Sequence, residues 1–253
     1  MAYSHASREV KMKTGIGFLI LLFMCACSGN SDPQKIIDQS IDKYGGIRYK
    51  HSYIQFDFRD KQYDIHRTGG NFTYIRAFKD SIGDVRDILT NNAFNREVNG
   101  ERVTLTDQER ITYQASLNSV IYFALLPFPL NDPAAQKRYL GKSEINGESY
   151  HKIEVTFSEE QGGSDFEDRF VYWIHQKHKT MDFLAYTFHQ NGGGTRFRQA
   201  LNPRVVNGIR FADYLNFTSD SIQKNIEDYD ELFMTGDLKK ISEINLENIK
   251  VSR

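Results

Sequence analysis

Ile54-Gln55-Phe56-Asp57-Phe58 is a stretch in which every second residue is large and apolar and the residues between are polar. A period of two is typical of a β-strand with one face buried and the other exposed. Apolar residues alternate in the same way at residues 63–65 and 72–74, on either side of the turn-forming segment 68–71. This part of the chain therefore predicts consecutive half-buried strands.

Three Asn-Gly pairs mark further tight turns: Asn99-Gly100, Asn146-Gly147 and Asn207-Gly208. Each lies between apolar-rich runs, and Asn-Gly tolerates the positive φ that type I′ hairpin turns need. Strand patterns also occur over 153–157, 170–174, 183–186, 195–198 and 209–211, and we expect one last strand over 241–251. Strands and helices do not alternate regularly, which favours an antiparallel meander over a parallel α/β design.

Two segments have a helical pattern. In residues 34–44, apolar residues recur at helical spacing and Gly45-Gly46 follows. Residues 117–126 are densely apolar, and Pro127 and Pro129 end that helix. We therefore predict a mainly β (α+β) fold, a curved antiparallel meander sheet covered by one or two helices, with 117–126 as the main cover.

The N-terminus has the pattern of a secretory signal. Lys11 and Lys13 precede an apolar run, residues 16–24, that is too short to span a bilayer, and Ala26 precedes Cys27. A Cys at the cleavage point resembles the lipobox of bacterial lipoproteins, whose thiol takes a diacylglycerol. The alternative is a chance Cys within a plain signal peptide.

These signals divide the chain into three parts. We expect a lipoprotein signal peptide over 1–26, in which 1–11 lie upstream of a more natural start at Met12. A tether over 27–34 and a single β-rich domain over 35–253 follow. The net charge of −1 provides no basic field for nucleic acid. The two cysteines, Cys25 and Cys27, leave the folded domain without a thiol, and we expect no cofactor and a monomer.

Three polar motifs have alternative interpretations. His175 and His178, with His189 one hairpin away, could hold a metal, although a lysine-rich turn favours solvated histidines. Acidic residues around Gly162-Gly163 could bind calcium, or could form a solvated loop tip; they are Glu159, Glu160, Asp165, Glu167 and Asp168. The glycine run 192–194 lacks the Lys-Ser/Thr of a phosphate-binding loop and predicts a hairpin turn. We expect no metal site.

Several blocks of the sequence belong together: Tyr44-Gly45-Gly46, Phe56-Asp57-Phe58-Arg59-Asp60, Leu89-Thr90-Asn91, residues 118–127, Tyr172-Trp173-Ile174-His175, residues 181–186 and residues 192–198. They resemble uncharacterised Bacteroidota lipoproteins of the DUF6503 type. The resemblance extends from about residue 38 to the C-terminus.

More distantly, the plan of a helix, a long meander and an inserted covering helix is similar to the LolA/LolB-like half-barrel. That resemblance implies a curved sheet around an apolar cavity that takes acyl chains or apolar peptide. Nine apolar residues are candidates to line it, although packing beneath the helix over 117–126 would also bury them. They are Phe56, Phe58, Tyr74, Phe123, Leu126, Trp173, Tyr186, Phe188 and Phe211.

Arg196 and Arg198 lie two residues apart on one predicted strand face. They could line a polar mouth that binds a headgroup. A cross-strand ion pair, with Asp182 as the partner, is the interpretation that the pattern favours.

Together these observations favour an envelope lipoprotein, anchored by a lipid in the outer membrane and facing the periplasm, that binds an apolar ligand such as an acyl chain, a lipid or a lipoprotein segment. The alternative is an envelope interaction or sensor module without a small-molecule ligand. Some relatives carry an aldolase assignment, but a Schiff-base aldolase needs a desolvated lysine inside a (β/α)₈ barrel. Because the sequence lacks that barrel's alternation and a credible catalytic set, we expect no enzyme.

The anchor is tested by Cys27→Ser, which removes the thiol that would carry the acyl chains. We expect this variant to leave the membrane fraction and appear in the soluble fraction. Cys25→Ser is the matched control and should stay with the membrane. A Cys27→Ser protein that remains in the membrane fraction would refute lipid anchoring.

Overall fold

The computed structural model describes Met1 and residues 31–158, 168–189, 192–220 and 225–253. Residues Ser31–Arg253 form one compact unit. The predicted signal peptide, Cys27 and the acidic stretch from Glu159 to Glu167 lie outside the described residues.

The described strands form two seven-stranded antiparallel sheets. The first sheet has the order β14-β1-β2-β3-β4-β5-β6, and the second has the order β13-β12-β11-β10-β9-β8-β7. The strands of the first sheet are β1 His51–Phe58, β2 Lys61–Thr68, β3 Asn71–Asp80, β4 Gly83–Thr90, β5 Phe94–Val98, β6 Glu101–Arg102 and β14 Glu247–Ser252. Those of the second are β7 Ala135–Ile145, β8 Glu148–Phe157, β9 Phe170–His175, β10 Met181–Phe188, β11 Gly194–Val206, β12 Ile209–Thr218 and β13 Lys239–Ile244. Strands β1 to β6 pair in chain order in the first sheet, and β7 to β13 do so in the second, so the predicted antiparallel meander is confirmed.

The single last strand predicted over 241–251 is wrong. Strand β13 pairs with β12 and β14 pairs with β1, so the C-terminal segment leaves one sheet and joins the other. Leu246 lies at the corner, where its backbone N–H donates to Asp213 Oδ1 at 3.0 Å and its carbonyl oxygen accepts from Arg204. These bonds satisfy the backbone groups that the break in pairing would otherwise leave free.

The three Asn-Gly turns join β5 to β6, β7 to β8 and β11 to β12. Asn99, Asn146 and Asn207 have φ of 52°, 53° and 45°, and the glycine after each also has a positive φ. Positive φ at both central residues defines the type I′ turn. The hairpin prediction is therefore confirmed.

The helices of the described residues are α1 Pro33–Tyr44, α2 Asp107–Ala124 and α3 Tyr229–Thr235. The first two match the predicted helical segments, but α2 begins earlier, at a capping box between Thr106 and Glu109. The sequence analysis did not predict α3. No helix in the described part of the chain is long and apolar enough to cross a membrane.

Buried apolar side chains form two clusters, one on each face of the second sheet. The inner cluster joins both sheets to α1 and α2, and the outer cluster packs the second sheet against α3. We call these two faces the inner face and the outer face. Strand β9 is buried on both, because Tyr172 belongs to the inner cluster and Trp173 to the outer one.

Tyr44 connects α1 to β10. Its hydroxyl donates to the carbonyl oxygen of Met181 at 3.2 Å and accepts from the backbone N–H of the same residue at 3.2 Å. Burial, reinforced by the charge of Asp182, raises the pKa of Tyr44 to about 12. The folded protein therefore keeps this phenol protonated at a pH at which the unfolded chain has lost the proton.

This difference predicts a loss of stability in alkaline solution. Above pH ~10, where an unfolded-chain tyrosine ionises, Tyr44 should reduce the free energy of unfolding by about 1.4 kcal/mol per pH unit until its own pKa is reached. Tyr44→Phe removes this contribution and should cost about 1 kcal/mol at neutral pH through the lost hydrogen bonds. Denaturant unfolding of the wild type and of Tyr44→Phe between pH 8 and 12 (a range of roughly four units) measures how steeply the free energy of unfolding falls with pH in each protein. Equal slopes in the two proteins would contradict the role assigned to Tyr44.

Candidate ligand-binding site

Six aromatic rings meet where the C-terminal end of α2 lies over β8, β9 and β10. We call them the aromatic cluster: Tyr122, Phe123, Phe157, Phe170, Tyr172 and Tyr186. Ring centroids are 5.1 Å apart for Phe123–Tyr186 and 5.8 Å apart for Phe157–Phe170, and the hydroxyls of Tyr122 and Tyr172 are 2.9 Å apart. These spacings are those of direct aromatic contact.

Only part of the aromatic cluster is shielded from solvent. Phe170 and Tyr172 are buried, whereas Tyr122, Phe123, Phe157 and Tyr186 are half-buried. Helix α2 ends at Ala124 and so covers only one side of this surface. An apolar ligand placed here would remove the exposed parts of these rings from water.

Arg198 lies at the base of the aromatic cluster and is only 9% exposed. Its guanidinium carbon is 4.0 Å from the ring centroid of Phe123 and 5.1 Å from that of Tyr186, and Nη2 donates to the Tyr186 hydroxyl at 2.7 Å. Its Nε is buried and makes no hydrogen bond within the described residues. Because Arg198 lies opposite Leu184, a member of the inner cluster, it faces the inner side of the sheet.

Two tyrosines near Arg198 remain neutral. Burial raises the pKa of Tyr172 well above its usual value, and the hydroxyl of Tyr122 acts in the same direction. Burial also raises the pKa of Tyr214. The cation of Arg198 lowers both pKa values without reversing the shift. Both phenols therefore remain protonated at neutral pH, and Arg198 supplies the positive charge.

The predicted ion pair with Asp182 is wrong. Strand register places Arg198 opposite Leu184 and Arg196 opposite Tyr186, while Asp182 accepts a hydrogen bond from the Tyr150 hydroxyl at 3.3 Å. Within the described part of the chain neither arginine forms an ion pair. Arg196 is half-buried, with its guanidinium carbon 4.7 Å from the ring centroid of Phe188.

The nine predicted lining residues do not share one environment. Four are buried in the inner cluster, namely Phe56, Tyr74, Leu126 and Phe211. Phe58, Phe123 and Tyr186 are half-buried at its border, and Phe188 is half-buried beside Arg196. Trp173 does not lie where it was predicted, because it is buried in the outer cluster with Phe197 and not on the inner face.

Sequence reasoning missed Tyr122, Phe157 and Phe170 as site residues. Alternation along β9 could have separated Phe170 and Tyr172 from Trp173, but both sets are apolar. The pattern therefore did not tell which set faces inward.

Surface clefts lie elsewhere. Three clefts of about 680, 530 and 680 Å³ are lined by polar and apolar residues of the first sheet, α1, β7 and the connections near them. None of the nine predicted lining residues contributes to these three clefts. The aromatic cluster is therefore a partly covered surface at the border of the inner face.

The polar motifs lie apart from this surface. His175 Nδ1 accepts hydrogen bonds from the backbone N–H of Lys177 at 3.0 Å and from that of His178 at 3.1 Å. Its Nε2 is 3.1 Å from a carboxylate oxygen of Glu148. His189 lies at the other end of β10, where Nδ1 is 2.9 Å from Asp168 Oδ1. His175 therefore stabilises the turn between β9 and β10, and His189 bonds to Asp168 at the opposite ends of these strands. In the glycine run 192–194 all three glycines have positive φ, as the turn prediction requires.

Helix α2 is held on the first sheet by a buried charge network. Asp87 is fully buried and accepts hydrogen bonds from Arg76 and Arg96, at 2.6 Å in each closest pair. Arg76 also donates to Ser116 at 2.8 Å, and the guanidinium carbon of Arg96 is 3.4 Å from the ring centroid of Tyr113. Since Leu117 and Ile121 are its only buried residues, α2 depends on these polar contacts as well as on apolar packing.

Comparisons with known proteins bear on the family and the fold. A model described as a family of unknown function, DUF6503, matches residues 13–247. No curated protein matches the sequence.

Solved structures with a similar arrangement include a DUF1329 family protein from Desulfovibrio piger, with 9% identity, a TM-score of 0.50, and coverage of 87% of this chain and 93% of that chain. They also include a LolA superfamily protein from Nitrosomonas europaea, with 11% identity, a TM-score of 0.46, and coverage of 87% and 91%. The lipoprotein LppX from Mycobacterium tuberculosis has 13% identity, a TM-score of 0.28, and coverage of 64% and 91%. The likeness to the D. piger protein concerns the fold alone.

The charge network that holds α2 predicts a large effect of Asp87→Asn. This change leaves two buried guanidinium groups without a counter-charge and should lower the free energy of unfolding by about 3–5 kcal/mol. Asp84→Asn is the matched control, because Asp84 is 77% exposed and its ion pair with Lys79 is 3.9 Å long. It should change stability by less than about 0.5 kcal/mol. Denaturant unfolding measures the free energy of unfolding of both variants. A similar loss of stability in the two variants would refute the role of burial.

Proposed function

The chain belongs to the DUF6503 family, a family of unknown function, and from this membership and the geometry above we propose that it is a lipid-anchored lipoprotein of the bacterial envelope that binds an apolar ligand at the aromatic cluster. The ligand class comprises acyl chains, lipids and apolar lipoprotein segments. The proposed anchor is Cys27, and the proposed location is the outer membrane, facing the periplasm.

One observation carries the binding proposal. Four aromatic side chains of the aromatic cluster are half-buried at the end of α2, although the sheet beneath them is buried. Contiguous apolar surface that a protein leaves exposed often marks a binding site. The helix over it is attached through a charge network and through apolar packing in which only Leu117 and Ile121 are fully buried. Displacing its C-terminal end would therefore expose more of the inner cluster.

The alternative, an interaction module that contacts a partner through a sheet edge, has less support. The edge strand β6 consists of Glu101 and Arg102. The edge strand β7 carries Lys137, Arg138 and Lys142 among its residues. Charged side chains on an edge strand oppose the addition of a further strand. We therefore propose binding at the inner face, and binding without catalysis.

The binding proposal is tested with the chain from Ser31 to Arg253, which keeps every described strand, helix and cluster. We expect the organic extract of the purified protein to contain acyl lipids by mass spectrometry, and its melting temperature to rise with added fatty acids or lysolipids. A clean extract together with no thermal shift would refute the proposal.

Two matched variants locate the site. Phe123→Ala removes a half-buried ring from the aromatic cluster, and Phe217→Ala removes a half-buried ring from the outer face. We expect Phe123→Ala to weaken lipid binding about tenfold, the equivalent of ~1.4 kcal/mol. Phe217→Ala should leave binding unchanged. Equal losses in the two variants would show that the ligand does not occupy the aromatic cluster.

A further inference from the structure

We propose that Arg198 binds the anionic headgroup of the ligand, so that the preferred ligand is an acyl chain that ends in a carboxylate or a phosphate. This inference rests on the proposed function and assigns the chemistry of one end of that ligand. Arg198 is the residue in which the positive charge and the aromatic surface of the site coincide.

The Arg198 cation is buried, and burying a charge costs free energy. A charged side chain at 9% exposure loses most of its hydration, and natural proteins compensate such a loss with an ion pair or several hydrogen bonds. Arg76 and Arg96 have this compensation from Asp87. Among the described residues Arg198 has one hydroxyl acceptor, that of Tyr186, and a buried Nε without an acceptor.

Aromatic rings surround the guanidinium group of Arg198. Its plane lies within contact distance of Phe123 and Tyr186, so cation–π contacts hold it at the base of the aromatic cluster. Tyr172 and Tyr214 face the same inner cluster with neutral hydroxyl groups. An anion that reached Arg198 would therefore meet a fixed cation and hydrogen-bond donors.

A second buried polar residue, Asn216, lies opposite Arg198 on the neighbouring strand. Register places Asn216 opposite Arg198 on β12, and Asn216 is also buried, with an Oδ1 that accepts no hydrogen bond within the described residues. Its amide nitrogen donates to Ser242 Oγ at 3.2 Å. Two adjacent buried polar side chains thus have unused hydrogen-bonding atoms on the inner face. An anionic headgroup could accept a hydrogen bond from Arg198 Nε, and a phosphate monoester that keeps one proton could also donate to Asn216 Oδ1, whereas a plain hydrocarbon could do neither.

Charge and chain length together define the probes. Dodecanoate and dodecyl phosphate carry the two anionic headgroups, dodecanol has the same chain without a charge, and inorganic phosphate is a headgroup without a chain. We expect the chain from Ser31 to Arg253 to bind both anionic amphiphiles roughly 10- to 100-fold more tightly than dodecanol, as a desolvated charge-assisted hydrogen bond allows. Inorganic phosphate should bind far more weakly than either.

Arg198→Gln tests the residue itself. It should abolish the preference for the anionic amphiphiles over dodecanol. Because it removes a buried charge without an ionic partner, the variant should be at least as stable as the wild type. Arg198→Lys keeps a charge with a different donor geometry and should retain part of the preference.

Arg196→Gln is the matched control, because it makes the same charge change two residues away on the same strand face. It should retain the preference, since Arg196 is half-buried and lies beside Phe188. Equal losses in the two glutamine variants would reveal a general effect of charge and overturn the assignment. If Arg198→Gln does not fold, the loss of stability itself contradicts the unpaired state inferred for Arg198, and Arg198→Lys then measures the preference.

The outcomes also separate this inference from the proposed function. If the wild type binds dodecanol and the anionic amphiphiles equally, the binding function stands and the headgroup site is refuted. If it binds none of the three amphiphiles, the proposed function itself fails. Tight binding of inorganic phosphate alone would contradict both.

Discussion

An open antiparallel sheet has an apolar face that only other elements of the chain can remove from water. In this protein two such sheets turn their inner faces toward one cluster, and α1 and α2 cover it. The coverage is incomplete at the end of α2, where aromatic rings of the aromatic cluster stay half-exposed. The position of α2, set by Asp87 and its two arginines as much as by apolar packing, therefore controls how much of the inner face is accessible.

Buried charge is used in different ways on the two sheets. Asp87 lies between Arg76 and Arg96, so each charge has a partner and the network joins three strands to a helix. Arg198 has aromatic rings and one tyrosine hydroxyl instead of an anion among the described residues. A local arrangement that lowers stability is common at binding sites, because the missing interaction is the one that the ligand supplies.

Much of the fold, but less of the site, could be predicted from the sequence. Alternation at residues 54–58, the three Asn-Gly turns and the proline end of the helix over 117–126 are local signals, and the structure confirms the elements that they predicted. The family resemblance is also confirmed. Trp173 was misplaced because β9 is apolar on both faces. The partner of Arg198 was misjudged because the pairing between β10 and β11 places Leu184, and not Asp182, opposite Arg198.

The sequence by itself determined where strands and turns occur, since backbone preferences and a two-residue period depend only on neighbouring residues. It also determined that Arg196 and Arg198 share a strand face. Only the tertiary structure decided which face is inner, because α3 covers the other face of the second sheet with a short helix that the sequence analysis did not predict. The break between β13 and β14 at Leu246 was likewise decided by distant residues, Arg204 and Asp213, which bond to its backbone. Contacts between residues far apart in the chain leave no periodic mark in the sequence, so they become visible only once the chain has folded.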